Sequence, residues 1–386
     1  MSLSLLPYDF DEVRVFDDKL DDLDIIRKII AVENLEDPFH LLDVGEVVRR
    51  HRTWIHTIPR VVPHYAVKCN PHPTVIKSLA ALGASFDCAS KAEIMQVMSY
   101  GVPASRIIFA NPIKTPIQIK YAQKVGVLKL TVDSMWELRK IKELYPEAKI
   151  IIRFRCDAAD SEVYLGTKFG CDPEEEAIRL IRGCRDLGLE LHGFSFHVGS
   201  PCGEFAEVIN DALRDVDPSI RVISEPGRYY VASAFKAVAY LHGKKSTIEG
   251  GSKKYMYYVN DGVYGSFIDE LLQLKHRLPL PVNRVYSDNE ELHLSTLWGP
   301  TCDSYDCIAK DVFLPKLHIG DWLCWKDMGA YTLSLSTNFN GFSPATVYPI
   351  MRRSSWNSFL AELRGVEKAQ VVLSQIDEQG NFKDVH

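Results

Sequence analysis

Lys68 sits at the end of a short apolar, β-rich run, His64-Tyr65-Ala66-Val67-Lys68-Cys69-Asn70, with Pro71 and Pro73 stopping any continuation. A lysine closing a buried strand is placed for chemistry. Desolvation favours the neutral amine, and a neutral amine can form a Schiff base. The competing reading is a long side chain snorkelling from a strand end to water. Further charged and polar residues fall at the ends of other short apolar runs: Asp87, Asn111, Arg153, His197, Glu225 and Arg228. Glu225 also reads as a helix N-cap, and His197 as a satisfied core histidine.

These residues need a scaffold that gathers strand ends. From about residue 43 to 232, short strands alternate with amphipathic helices. The expected strands are 65–68, 85–88, 107–110, 128–132, 150–154, 193–198 and 222–225. The helices between them are 75–82, 91–100, 117–125, 135–144 and 174–187. Such alternation predicts an α/β unit with parallel strands. A doubly wound sheet would carry a G-x-G-x-x-G turn after its first strand, and none occurs. A (β/α)8 TIM-type barrel fits better, since its functional face is the C-terminal end of the strands. Only seven strands can be counted, so the barrel looks short of one βα unit.

After residue 233 the pattern becomes β-rich, with strands expected at 255–260, 312–313, 322–325, 333–336 and 345–349 between Gly, Pro and Asn turns. The expected domains are a barrel over 43–232 and a β-rich domain built from 1–42 and 233–386.

The chain has 386 residues, of which 46% are hydrophobic and 25% charged, with a formal net charge of −6. With no long basic stretch, neither nucleic acid nor an anionic membrane is an expected partner. Nine scattered cysteines and an N-terminus without a basic n-region predict free thiols in a reducing cytoplasm. No apolar run approaches a membrane span, and no metal site is expected.

Eight segments in order carry a resemblance. They are Tyr65-Ala66-Val67-Lys68-Cys69-Asn70, Phe86-Asp87-Cys88-Ala89-Ser90-Lys91, Phe109-Ala110-Asn111-Pro112 and Phe196-His197-Val198-Gly199-Ser200. Glu225-Pro226-Gly227-Arg228-Tyr229-Tyr230, Asn260-Asp261-Gly262-Val263-Tyr264-Gly265, Trp298-Gly299-Pro300-Thr301-Cys302-Asp303 and Asp327-Met328-Gly329-Ala330-Tyr331 complete the set. Together they resemble the eukaryotic ornithine decarboxylases, pyridoxal-phosphate enzymes with an alanine-racemase-like barrel.

The resemblance implies that Lys68 holds pyridoxal 5'-phosphate, that Glu225 keeps the ring nitrogen protonated and that His197 stacks on the ring. It implies phosphate contacts from Arg228, Ser200 and Tyr331, with Asp87 and Arg153 beneath the cofactor and Glu93 and Asn111 as lesser members. Cys302 would handle protonation at Cα, and Asp303 would bind the distal substrate amine. Tyr264, Phe339 and the Gln273 position would line the substrate. In the family, Cys302 and Asp303 act in the other subunit's site, which implies a homodimer with shared sites and a Lys168–Asp306 pair across its interface. The implied reaction is L-ornithine to putrescine and carbon dioxide, for polyamine or alkaloid synthesis.

Two departures bear on this. Between Ser200 and Glu225 the family has a further helix and a strand ending in a glycine triplet whose amides cradle the phosphate. Here one short helix, 206–216, leads directly to the last strand, and no Gly-Gly-Gly occurs. Losing such a nest weakens anion binding. The second departure is Gln273, which stands where the family has an aspartate for the distal amine; Asp269 and Glu270 are nearby substitutes under a register shift. Other readings are therefore a lysine or arginine decarboxylase, a non-enzymatic relative that binds an antizyme-like regulator, a truncated product, or a racemase. The last is disfavoured by Cys302-Asp303.

Overall fold

The computed structural model describes residues 10–156, 168–197, 206–249, 252–271, 277–283 and 289–374. Short runs of alternating β-branched and aromatic residues build one parallel sheet. Its strands follow two that belong to a second sheet, β1 (Arg14–Phe16) and β2 (Phe39–Asp43). The parallel set comprises β3 (Val61–Ala66), β4 (Ser85–Cys88), β5 (Ile107–Phe109), β6 (Lys129–Val132), β7 (Lys149–Arg153), β8 (Glu190–Ser195) and β9 (Val222–Ser224). The order is β8-β7-β6-β5-β4-β3-β9, parallel throughout.

Helices alternate with these strands. They are α2 (Val44–Thr57), α3 (Pro73–Ala81), α4 (Lys91–Ser99), α5 (Pro116–Val125), α6 (Met135–Leu144), α7 (Glu176–Asp186), α8 (Ala206–Ala212) and α9 (Arg228–Val231), with α1 (Asp22–Glu33) on the second sheet. Local chemistry sets their ends. The Ser90 and Ser134 hydroxyls accept the N–H of Glu93 and Glu137 at the starts of α4 and α6. Gly126 ends α5 in the left-handed conformation at φ 80°.

This sheet is a barrel wall with an open seam. Among the described residues, β8 and β9 each pair with one neighbour only, and they stand at opposite ends of the strand order. Among the described residues, the strand missing from the sequence count is missing here too, and the connection from β8 to β9 shows one helix, the seven-residue α8. Arg60 holds its C-terminal side by donating to the carbonyls of Leu213 and Val216. The seam shows on the surface, where Phe194 on β8 is 54% exposed.

The second sheet has nine strands. Besides β1 and β2 it contains β10 (Phe235–Glu249), β11 (Ser252–Val259), β12 (Leu280–Pro281), β13 (Leu292–Trp298), β14 (Cys307–Pro315), β15 (Trp322–Trp325) and β16 (Thr346–Arg352). β10 carries the sheet: one end pairs with β2, its middle with β15 and its far end with β11. The N-terminal strands therefore join the C-terminal half. Phe267 packs edge-on against Trp325 at 4.8 Å, both fully buried, which pins the loop before α10 (Ile268–Leu271) to the sheet core.

Two expectations are corrected. The segment 333–336 is a 3-10 turn, Leu333–Leu335, and not a strand. Residues 353–374 form a long helix, α11, with Phe359 and Leu363 packed on the barrel core.

Candidate functional site

Register decides which side chains meet. Pairing of Ala66 with Asp87 puts that aspartate beside the residues leaving β3. Pairing of Pro63 with Ser224, and donation from the Ala66 N–H to the Pro226 carbonyl at 3.2 Å, bring Glu225 to the same level. Pairing of Arg153 with Ser195 places Arg153 and His197 at that end of the sheet too.

Lys68 does not close the strand. It lies two residues beyond, in a 3-10 turn, Val67–Cys69. Its Nζ is 2.8 Å from Asp87 Oδ2, the carboxylate being buried and the lysine side chain 43% exposed. The expected loss of its proton is therefore corrected. The Asp87 charge outweighs desolvation and holds the ammonium above its ordinary range. The Asp87 Oδ1 atom is buried and has no hydrogen-bond partner among the described residues.

Around this pair the charges are strongly perturbed. Burial, then repulsion from Asp87, pushes the Glu225 carboxyl well above the usual range, against the pull of Lys68 and Arg153. Burial also raises Glu93, whose carboxylate accepts the Ala89 N–H at 2.6 Å. Burial, then Arg153 and Lys68, lowers His197 to about 4, so its ring is neutral at pH 7. Burial lowers Arg153, which stacks on Phe169 at 5.5 Å. Asn111 donates to the Ala89 carbonyl at 3.2 Å.

The second domain completes this end of the barrel. Tyr331 donates its N–H to the Cys69 carbonyl at 3.0 Å, and the Ser334 hydroxyl reaches the same oxygen at 3.1 Å. Tyr331 has φ 57°, a strained value for an aromatic residue. Its ring lies 5.4 Å from the Arg228 guanidinium. Sequence reasoning assigned no role to Asn70, which is buried and donates to the Gly329 carbonyl at 2.8 Å. A polar side chain inside an apolar run is the signal that was available.

Cys302, Asp303, Tyr264 and Phe339 form a separate group on the sheet domain. The Tyr264 hydroxyl donates to Asp303 Oδ2, and its ring packs 4.7 Å from Phe339. Asp303 Oδ1 accepts the Tyr305 N–H at 3.1 Å. Cys302 is exposed, and its N–H reaches Asn340 Oδ1 at 3.1 Å. Ser200 and Gln273 lie outside the described residues. The substitutes considered for Gln273 are engaged elsewhere: Asp269 and Glu270 are buried and both face Arg277, at 3.1 and 3.5 Å.

Comparison with known proteins agrees with this architecture. The pyridoxal binding domain of pyridoxal-dependent decarboxylases matches residues 44–217, and the C-terminal sheet domain of the same class matches residues 228–329. Antizyme inhibitor 2 of Xenopus laevis is 39% identical, with 90% of this chain and 88% of that protein covered. Ornithine decarboxylase of Mus musculus is 37% identical, covering 83% of this chain and 82% of its own. That alignment spans 380 residues, more than the covered share of this chain supplies, so the mouse protein carries internal residues that are lacking here. Among solved structures, the arginine decarboxylase of Paramecium bursaria Chlorella virus superposes with a TM-score of 0.81 at 33% identity, over 85% of this chain and all of that one. The lysine/ornithine decarboxylase of Vibrio vulnificus, complexed with cadaverine, has a TM-score of 0.74 at 31% identity, over 85% and 98%.

Proposed function

This chain belongs to the pyridoxal-dependent decarboxylases, and from that premise we propose that it decarboxylates a basic amino acid, L-ornithine to putrescine and carbon dioxide. The family's cofactor is pyridoxal 5'-phosphate, and the side chains present fit it. Asp87 Oδ1 is buried without a hydrogen-bond partner among the described residues. Glu225 is a carboxyl whose charge is opposed by burial and Asp87 more than Lys68 and Arg153 favour it; a protonated ring nitrogen would supply a further cation. When bound, the cofactor supplies the electron sink that decarboxylation at Cα requires.

Each side chain has a definable task. Lys68 provides the amine that holds the cofactor, and Asp87 orients it. Glu225 holds a proton at the ring nitrogen. His197, neutral at pH 7, offers a flat face to the ring, with Arg153 on the charged side of the site. Arg228 and Tyr331, joined by Ser200, take the phosphate. Cys302 places a proton at Cα, and Asp303, steadied by Tyr264 beside Phe339, takes the distal amine together with the Gln273 position. Cys302 and Asp303 act from the partner subunit of a homodimer, as resemblance to the family implies. Eight free thiols among the described residues suit a reducing cytoplasm, where putrescine would enter polyamine or alkaloid synthesis.

The observation that carries this reading is the Lys68–Asp87 pair at one strand end with Glu225 and Arg153 in electrostatic reach. The test is to titrate the full chain with pyridoxal phosphate, follow the absorbance of the lysine adduct, and fix it with borohydride. A mass increment on Lys68, followed by carbon dioxide release from ornithine in preference to lysine and arginine, supports the proposal. No adduct at saturating cofactor refutes it. Gln273→Asp should raise the preference for ornithine.

A second reading has its own support. The similarity to an antizyme inhibitor, together with a barrel wall left open where a phosphate-binding strand end would stand, favours a homologue that binds an antizyme-like regulator without turning over substrate. Absence of adduct with tight antizyme binding would select it.

A further inference from the structure

We infer that Asp306 is the positioning residue that sets the Cys302–Asp303 turn against the Tyr264 loop. This rests on the proposed function in one respect, since it concerns how those substrate-facing side chains are held. Asp306 is 1% exposed and reaches both segments at once. Its Oδ1 accepts the Val263 N–H at 2.9 Å, while Oδ2 accepts the Thr301 N–H at 2.9 Å and the Thr301 hydroxyl at 2.7 Å. Its own carbonyl accepts the Gly299 N–H at 2.8 Å, and its N–H donates to the Asp303 carbonyl at 3.1 Å.

A buried carboxylate persists only if it is well hydrogen-bonded, and this one accepts three bonds from backbone and hydroxyl donors of two loops. Two glycines make room for it. A Cβ at Gly262 or at Gly299 would land inside contact distance of the Asp306 carboxylate, and neither glycine has a positive φ that would explain it otherwise. Both Asp-Gly-Val-Tyr and Trp-Gly-Pro-Thr-Cys-Asp are thus shaped by one buried side chain. Tyr264 and Asp303, which share a hydrogen bond, flank its two anchor points. The interface pairing with Lys168 that resemblance suggested would add to these contacts, since each carboxylate oxygen has two lone pairs and Oδ1 takes one N–H here.

The experiment is amide hydrogen exchange of the full chain, followed by peptide mass mapping. In Asp306→Asn one oxygen becomes an NH2 group that faces an N–H donor, so one of the two loops loses its anchor. The peptide carrying the Val263 or the Thr301 N–H, both of which donate to Asp306 in the wild type, should then exchange roughly tenfold faster, the ratio expected for losing a hydrogen bond to a buried charge, while the barrel strands β4 and β5 keep their wild-type rates. Gly299→Ala should produce the same acceleration. Added to Asp306→Ala, it should change the rate no further, because the two changes act through one contact. Unchanged exchange at both loops, a rise in the barrel strands as well, or additive effects would overturn the assignment. Labelling needs neither cofactor nor substrate. A chain that never decarboxylates can still pass this test, so failure of the proposed function and failure of this inference are distinguishable.

Discussion

Replacing Asp87 by Asn isolates the interaction on which the proposed site depends. Asp87 Oδ2 stands 2.8 Å from Lys68 Nζ, a separation worth roughly 6 kcal/mol at an effective dielectric constant of about 20 and roughly 1.5 kcal/mol in bulk water. Because the lysine side chain is 43% exposed, water screens the pair and the lower part of that range applies. At 1.36 kcal/mol per pKa unit, Lys68 should titrate roughly 1–2 units lower in Asp87→Asn. The sign follows from the pair: removing the carboxylate leaves desolvation to favour the neutral amine.

The assay is reductive methylation of the full chain across pH 7 to 11, with Lys68 followed by peptide mass. Only the neutral amine reacts, so the Lys68 profile should shift to lower pH in the variant, while a lysine with no part in the site keeps its own. The same substitution removes the repulsion on Glu225 and should lower that carboxyl as well. An unmoved or upward-shifted Lys68 profile would refute the view that Asp87, and not burial, sets its protonation.

Three further outcomes follow. Lys114 is fully buried, with Nζ on the carbonyls of Asn111, Pro112 and Thr131 and 3.1 Å from Glu137; Lys114→Met should cost ~3 kcal/mol in urea unfolding, because these buried acceptors lose their donor. His40, His64 and His72 are depressed by burial to about 3, about 4 and about 4. Since the unfolded chain binds protons that the folded one refuses, stability should fall as pH drops from about 6.5 toward 4, at ~1 kcal/mol per pH unit for each histidine; a flat profile from urea melts at pH 7 and 5 would contradict this. Phe194→Lys on the exposed β8 edge should leave stability within ~0.5 kcal/mol and reduce self-association in light scattering, since a charge blunts an open strand.

How much of this was legible beforehand depended on range. Strand and helix spans of the barrel came from local periodicity, and the absent unit came from a count along the chain. The segment 333–336 was misread because an apolar pattern that short carries no period, and its docking against Cys69 and the barrel decides its turn. The protonation of Lys68 was misread for a related reason. A lysine after an apolar run announces burial, while its counter-charge sits 19 residues away on another strand.

By itself, then, the sequence determined the parallel α/β class, the set of residues at the strand ends and the internal shortening before Glu225, because each is written in periodicity or in motifs read along the chain. Tertiary structure alone decided that Asp87 keeps Lys68 charged, that Asp269 and Glu270 face Arg277, and that β8 and β9 stand at opposite ends of the sheet, unpaired with each other among the described residues. Those outcomes turn on distances of a few ångströms between residues far apart in sequence. Coulomb energy, desolvation and backbone pairing all depend on such distances, and no pattern along one chain encodes them directly.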